Sequence, residues 1–438
     1  MITPILIAPM AILIIGEDTL LLYPFVVISF FDMKYSKFNI GLNFDWIKNT
    51  VLFSFLALFS CQAQEYSIKD EALKTGAERV ENYLSSLKDK NIAVVANQTS
   101  IIENENGNYT HLVDSLLSLD VDIKIVFAPE HGFRGKADAG EKINNSIDQK
   151  TRLPIISLYG NHKKPSQEDL RGIDVVVFDI QDVGVRFYTY ISTLHYVMEA
   201  CAENKIPVII LDRPNPNRHY VDGPMLEEKH QSFVGMHPVP VVYGMTIGEY
   251  GKMINGENWL KNGLKCDLKV VELENYNPQK IYNLPIKPSP NLPNSKSINL
   301  YPSLCFFEGT NVNAGRGTNI QFQVFGSPFL DKNVFDFKYT PKPNEGAKYP
   351  KHQDIVCYGR DLSTVEKLSE IDLKWLIESY QNTADQNKFF NSFFTNLAGT
   401  GKLQRQIESG LSQKEIESSW QKDLLNFKKI RQKYLLYN

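Results

Sequence analysis

The chain has 438 residues, 43% hydrophobic and 22% charged, with a formal net charge of −3. Those values fit a globular protein of two domains plus a targeting segment, and the near balance of charge excludes a broad electrostatic pull toward nucleic acid. The five cysteines, Cys61, Cys201, Cys266, Cys305 and Cys357, form no CxxC pair and no zinc spacing, so no metal or cofactor is expected, while a Cys266–Cys305 or Cys305–Cys357 disulfide stays open for an oxidising compartment.

Residues 1–62 read as a targeting segment. Ile5 to Leu22 is apolar apart from Glu17 and Asp18, and Tyr23 to Phe31 is apolar again. Met33-Lys-Tyr-Ser-Lys37 then opens a basic flank, and the apolar run from Thr50 ends at Cys61. Basic flank, short apolar core and a small residue make a secretory signal. Leu58-Phe-Ser-Cys61 resembles a bacterial lipoprotein box, with Cys61 as the lipidated residue. A start at Met33, with residues 1–32 a gene-start error, fits better than a membrane span at 5–31, which Glu17, Asp18 and Pro24 weaken. The expectation is an exported protein, periplasmic or anchored at the outer membrane, that touches membrane only through this N-terminal anchor. A linker over 62–70 follows, and the globular part begins near Ile68.

From there strands alternate with helices. Asp70 to Leu87 has helical spacing, Asn91–Asn97 reads as a buried strand, and Thr110–Leu119 as a helix. Strands follow at 123–128, 154–159, 174–180 and 207–212, with a helix at 190–204. Alternation of this kind predicts an α/β fold with a mostly parallel, Rossmann-like sheet covered on both faces. The polar clusters Asn97–Ser100, Glu130-His131, Asp179–Arg186 and Asp212-Arg213 all follow carboxyl ends of strands. Ligands bind at that edge in open α/β sheets. No GxGxxG or GxxxxGK[ST] follows the first strand, so no dinucleotide or phosphate site is expected.

The second part of the chain is less regular. Residues 223–244 read as a long loop, and Thr246 with Glu249 as the capping box of a helix to about Asn255. Leu268–Leu273 reads as a strand, Pro288–Pro293 as an irregular proline-rich turn, and Gly315-Arg-Gly-Thr318 as a tight turn suited to an anion. Residues 331–353 read as a surface loop, and 361–385 and 411–435 as helices. The domains expected are 68–262, Rossmann-like and catalytic, and 263–438, a smaller α+β unit.

Several of these stretches are long and unusual together. Phe127-Ala-Pro-Glu-His-Gly-Phe-Arg-Gly135, Phe178–Ile191, Leu211-Asp-Arg-Pro-Asn-Pro216, Ser232–Gly235, Gly244–Glu249, Pro288-Ser-Pro-Asn291, Phe307-Glu-Gly-Thr-Asn311 and Gly315–Thr318 resemble the exo-β-N-acetylmuramidases of the NamZ type, in order from about residue 70 to the end. The resemblance implies removal of terminal β-1,4-linked N-acetylmuramic acid from the non-reducing end of peptidoglycan fragments. It also implies an active site in the cleft between the two domains. Tyr243, Gln321 and the pair Arg218-His219 depart from the family's pattern.

Glycoside hydrolysis uses two carboxyl groups around the scissile bond, one of them protonated. Glu130 is the candidate acid, with His131 beside it to orient it or tune its pKa. Asp182 and Glu308 are candidates for the second group, and Asp179 for a supporting carboxylate. Participation of the substrate's own N-acetyl group is a further possibility. Arg186 and Arg316 are candidates for the lactyl carboxylate, because a planar fork matches a carboxylate. Gln181, Tyr188, Tyr190, Asn291 and Asn311 complete the candidate sugar contacts. A hydrolase of another amino sugar and a non-catalytic, cell-surface glycan-binding lipoprotein remain open at this point.

Overall fold

A computed structural model describes residues 72–104, 106–134, 145–280 and 282–437. The expected export segment over 1–62, with Cys61, lies outside the described residues.

Seven strands form the main sheet: β1 (Ile92–Ala96), β2 (Ile123–Ala128), β3 (Ser146–Ile147), β4 (Pro154–Ser157), β5 (Val175–Asp179), β6 (Val208–Leu211) and β7 (Leu268–Val271). Their spatial order is β3-β4-β2-β1-β5-β6-β7. All pairings are parallel except the short edge pair β3–β4. The six parallel strands thus follow the doubly wound order, and the chain reverses direction across the sheet between β1 and β5.

Continuous apolar runs build this sheet because both of its faces are covered. Ala93, Val95, Val176 and Phe178 join one hydrophobic cluster, while their neighbours Ile92, Val94, Val175 and Val177 join the other. Helices α1 (Leu112–Ser118), α2 (Tyr190–Asn204) and α3 (Ile247–Gly256) cover it. Thr246 and Glu249 form the expected capping box on α3. Because β7 pairs with β6, the sheet continues past residue 262. The following segments add α4 (Ser295–Leu304) and a three-stranded antiparallel sheet, β8 (Val324–Ser327), β9 (Phe337–Tyr339) and β10 (Cys357–Asp361), in the order β8-β10-β9. The described residues form one compact unit.

Four local expectations are corrected. Residues 72–87 hold two 3-10 turns, Gly76–Glu78 and Val80–Asn82, and one helical turn, Leu84–Leu87, instead of a helix. Tertiary contact overrides the spacing here: Gly76 N donates to Asp212 O at 2.8 Å, and a Cβ on Gly76 would lie 2.3 Å from Val271 O. The 361–385 stretch begins as β10 and is helical only over Lys374–Gln381, and the expected loop 331–353 contains β9. Finally, Cys201, Cys266, Cys305 and Cys357 are all buried free thiols, so neither disulfide considered above is formed.

At the reversal point Arg213 meets Asp179, the last residue of β5. Arg213 Nε and Nη2 reach the two carboxylate oxygens at 2.5 and 2.8 Å, and Nη2 also donates to Ile101 O at 2.9 Å. Both side chains are buried. A buried pair gives little net stability, but removing one partner strands a charge in low dielectric. Asp179→Ala is therefore expected to lower unfolding free energy by about 3–5 kcal/mol, and adding Arg213→Met is expected to restore part of the loss. Urea denaturation of the single and double variants checks both statements.

Candidate active site

A cavity of about 280 Å³ opens beyond the carboxyl ends of β2, β4 and β5. Glu130 and His131 enter it from the turn after β2, Tyr159 from the turn after β4, and Tyr188 and Thr189 from the segment after β5. The facing wall comes from later in the chain: Ser289 and Asn291 in the proline-rich turn, Tyr301 on α4, Glu308 in the 3-10 turn Cys305–Gly309, and Arg316 in the Gly315–Thr318 turn.

The turn that carries Glu130 is strained. Gly132 N closes it on Pro129 O at 3.0 Å. His131 stands at its third position with φ +71°, a conformation that ordinarily calls for glycine. Such strain persists only where the surroundings fix it, and it concentrates at functional sites. Thr189 Oγ1 donates to Glu130 Oε2 at 2.8 Å, so the strand-end segment after β5 orients the carboxyl group presented after β2.

On the facing wall Glu308 accepts from Arg316 Nη1 at 3.3 Å, and both side chains are about a quarter exposed. Arg316 Nη2 donates to Gly346 O at 3.0 Å, the same carbonyl that takes Asn291 Nδ2 at 2.8 Å. Behind them Lys351 Nζ donates to the carbonyls of Phe307, Thr310 and Val312 at 3.0, 2.6 and 2.9 Å. Burial pulls the Lys351 ammonium down from its ordinary pKa, with the neighbouring Arg316 adding to that and Glu308 opposing it. This lysine fixes the end of the 3-10 turn that presents Glu308 and the residues that follow it. Tyr301 is held protonated by burial first, by Cys305 next, and then by the fields of Glu130 and Glu308.

Of the residues expected at the site, Glu130, His131, Tyr188, Asn291, Glu308 and Arg316 line one cavity. The others stand behind it. Asp179 is taken up by Arg213. Gln181 Nε2 donates to the carbonyls of Asp182 and Pro214. Tyr190 OH accepts from Asn97 Nδ2 at 2.9 Å and reaches Pro288 O at 3.3 Å, beneath Tyr188, whose OH donates to the same carbonyl at 2.8 Å. Asn311 holds its loop through its own backbone, its N donating to Phe389 O and its O bonded to the His352 ring Nε2. Arg186 is corrected most sharply: it is 0% exposed and donates to Pro224 O, Val239 O and Leu397 O at 2.7–2.9 Å. A guanidinium sealed among carbonyls cannot clamp a substrate carboxylate.

Asp182 is likewise not on the cavity wall. It accepts from Tyr243 OH and from Gly184 N, and its Oδ1 is buried without a partner. Tyr243, one of the departures from the family's pattern, thus caps this carboxylate. Sequence reasoning also missed Thr189, Tyr159, Phe233 and Lys351. Thr189 lies inside the Phe178–Ile191 stretch, where a hydroxyl between two tyrosines was a usable signal. Lys351 carried none, since its segment reads as polar loop.

Burial pushes Asp182 up to about 6, against the pull of Tyr243 and the backbone amides of Gly184 and Val183. A carboxyl group raised on folding binds protons more tightly in the native state, so its share of stability is present at low pH and falls away as pH rises between about 4 and 6. Asp212, pushed up to about 6 by burial, acts in the same direction. Asp182→Asn is expected to flatten the slope, shrinking the stability lost between about pH 4 and pH 7 by on the order of 1–3 kcal/mol. Denaturant titrations across that range, with the unsubstituted chain alongside, give the comparison.

Comparison with known proteins agrees with this architecture. The family model described as exo-beta-N-acetylmuramidase NamZ, N-terminal, matches residues 92–296, and its C-terminal counterpart matches residues 299–437. The peptidoglycan beta-N-acetylmuramidase NamZ of Bacillus subtilis (strain 168) is 36% identical over 401 residues, covering 86% of this chain and 94% of that protein. Two crystal structures of DUF1343 family proteins from Bacteroides fragilis NCTC 9343 superpose with TM-scores of 0.77 and 0.71, at 44% and 26% identity. Each covers 84% of this chain and 99% of its own. With both family models matched in order and together spanning nearly all of the described residues, the chain belongs to the NamZ family of exo-β-N-acetylmuramidases.

Proposed function

We propose that this chain releases terminal β-1,4-linked N-acetylmuramic acid from the non-reducing end of peptidoglycan fragments, with Glu130 as the general acid. The observation that carries the reading is the pairing, in one aromatic-walled cavity, of Glu130 fixed by Thr189 and Glu308 fixed by Arg316. Two carboxyl groups from opposite walls are what bond cleavage at an anomeric centre needs, and a binding protein needs neither.

In this reading the Glu130 carboxyl gives its proton to the glycosidic oxygen as the bond to the leaving sugar lengthens. Thr189 holds Oε2, so the group meets the substrate in one orientation. Glu308 stabilises positive charge growing at the anomeric carbon. Arg316, the guanidinium of the lining, is the partner for the lactyl carboxylate that distinguishes muramic acid from glucosamine. Asn291 and Tyr188 fix the sugar ring from the proline-rich turn and the strand-end segment. We further infer export and lipidation at Cys61, supported by the basic-flanked apolar run that ends in Leu58-Phe-Ser-Cys61.

A chromogenic β-N-acetylmuraminide tests the reaction. Glu130→Gln is expected to lower kcat by about 10²–10⁴ with the far-UV circular dichroism unchanged; unchanged turnover would remove Glu130 from the chemistry. Arg316→Leu is expected to raise KM for the muraminide more than for the corresponding glucosaminide. Preference for the glucosaminide by the unsubstituted chain would refute the substrate assignment.

A further inference from the structure

The first cavity does not end at its own rim. Phe233 lines it and also lines a second, open cavity of about 460 Å³, whose other walls include Lys163, Tyr196, Gln231, Trp259 and Lys261. An aromatic strip joins the two. Tyr159, in the first cavity, meets Phe233 edge-on with centroids 6.3 Å apart, and Tyr196, in the second, stacks on Phe233 at 6.3 Å with planes 15° apart. Aromatic rings in a row line a track for a substrate longer than one sugar.

The second cavity is also charged, in a definite sense. Its lining holds Lys163 and Lys261 against a single carboxylate, Glu199. That carboxylate is already engaged, by Lys164 Nζ at 2.7 Å, by the backbone N of Lys261 at 2.8 Å and by His195 Nε2 at 3.5 Å. Lys163 lies over the face of Phe233, 4.7 Å from the ring centroid. Among the described residues neither Lys163 nor Lys261 has a carboxylate within ion-pair distance of its ammonium. What the second cavity offers is two available ammonium groups beside an aromatic track.

We propose that this second cavity is a subsite for a carboxylate-bearing extension of the substrate, beyond the sugar whose bond is cut. The proposal rests on the muramidase reading of the first cavity. Two parts of a peptidoglycan fragment carry such carboxylates there: the lactyl group of the next muramic acid along the glycan or, where that group is amidated, the peptide stem it bears. Phe233 sits at the junction, and the lysines sit where the extension's charge arrives.

The test compares the full chain with a Lys163→Ala/Lys261→Ala variant on three substrates. They are a chromogenic β-N-acetylmuraminide, a peptide-free oligosaccharide with muramic acid at its first and third positions, and the same oligosaccharide bearing a peptide stem on its third-position muramic acid. For the variant, kcat/KM on the chromogenic substrate is expected to stay unchanged. On at least one extended substrate it is expected to fall by about three- to tenfold, the scale of one or two exposed charge pairs. Added salt is expected to erase the same advantage in the unsubstituted chain. A loss confined to the peptide-free oligosaccharide assigns the cavity to the lactyl carboxylate of the glycan, and one confined to the stem-bearing oligosaccharide assigns it to the stem. Equal rates for chain and variant on all three substrates overturn the proposal while leaving the muramidase reading intact, and an equal loss on all three overturns it as well. Absence of cleavage of any muraminide by the unsubstituted chain overturns both.

Discussion

Arg186 carries its charge at 0% exposure, and among the described residues no carboxylate faces it. What holds the guanidinium is a set of three backbone carbonyls, those of Pro224, Val239 and Leu397. Burial lowers its pKa to about 9, still above neutrality, so it remains a cation that the carbonyl dipoles must satisfy. Those carbonyls lie 38, 53 and 211 positions away in sequence. One side chain therefore ties the strand-end segment after β5 to the long 212–246 loop and to the helical turn Phe394–Ala398. The packing around it is tight enough that a Cβ on Gly399, which has φ +70°, would lie 2.6 Å from Nη2. Leu397 itself lines the first cavity, so the cavity's shape inherits its definition from this buried cation.

The same strategy closes the far side of the sheet. Glu249, cap of α3, pairs with Arg218 and accepts from the backbone N of Leu436 at 2.8 Å. Arg218 Nη2 donates to Tyr437 O at 2.8 Å, and Tyr437 OH donates to Asp212 at 2.6 Å. Asp212 also accepts from Thr246 Oγ1 and Gly248 N. Residues 436–437 are thus bound into the polar edge of the Rossmann-like sheet. Each group is satisfied by several partners at once, the condition under which buried polar networks fix one arrangement. These bonds tie the end of the segment matched by the C-terminal family model to the segment matched by the N-terminal one, within one compact unit.

How much of this could be read in the sequence follows from what each signal measures. β2, β4, β5 and α2 were legible because apolar runs report burial on both faces, and burial is what the sheet requires. The capping box at Thr246 and Glu249 was legible because its bonds are local. Residues 72–87 were not, since the helix there is broken by the contact of Gly76 with Asp212, which no local pattern records. The candidate site divides the same way. That polar residues follow strand ends was visible, and it brought Glu130 and Tyr188 to the cavity. Which way each one faces was not visible. Arg186 and Asp182 share a stretch with Tyr188 and Thr189, yet the first two turn inward to partners far along the chain.

That inward turn has a chemical consequence. Asp179 and Asp182 sit nearest the reversal point of the sheet, where a reactive carboxylate would first be sought, but both are too deeply buried to meet a sugar. Their work is electrostatic and structural: Asp179 neutralises Arg213, and Asp182 receives the Tyr243 hydroxyl and the Gly184 amide. A general acid must instead be rigid at its base and open at its tip, because it exchanges its proton with solvent between turnovers. Glu130 meets that requirement through a strained turn that fixes its backbone, a threonine that fixes one oxygen and partial exposure at the cavity. Glu308, half-buried on the facing wall, is held by Lys351 behind it and Arg316 beside it. The buried carboxylates brace the fold behind the cavity, and the two half-buried glutamates are the ones that face it.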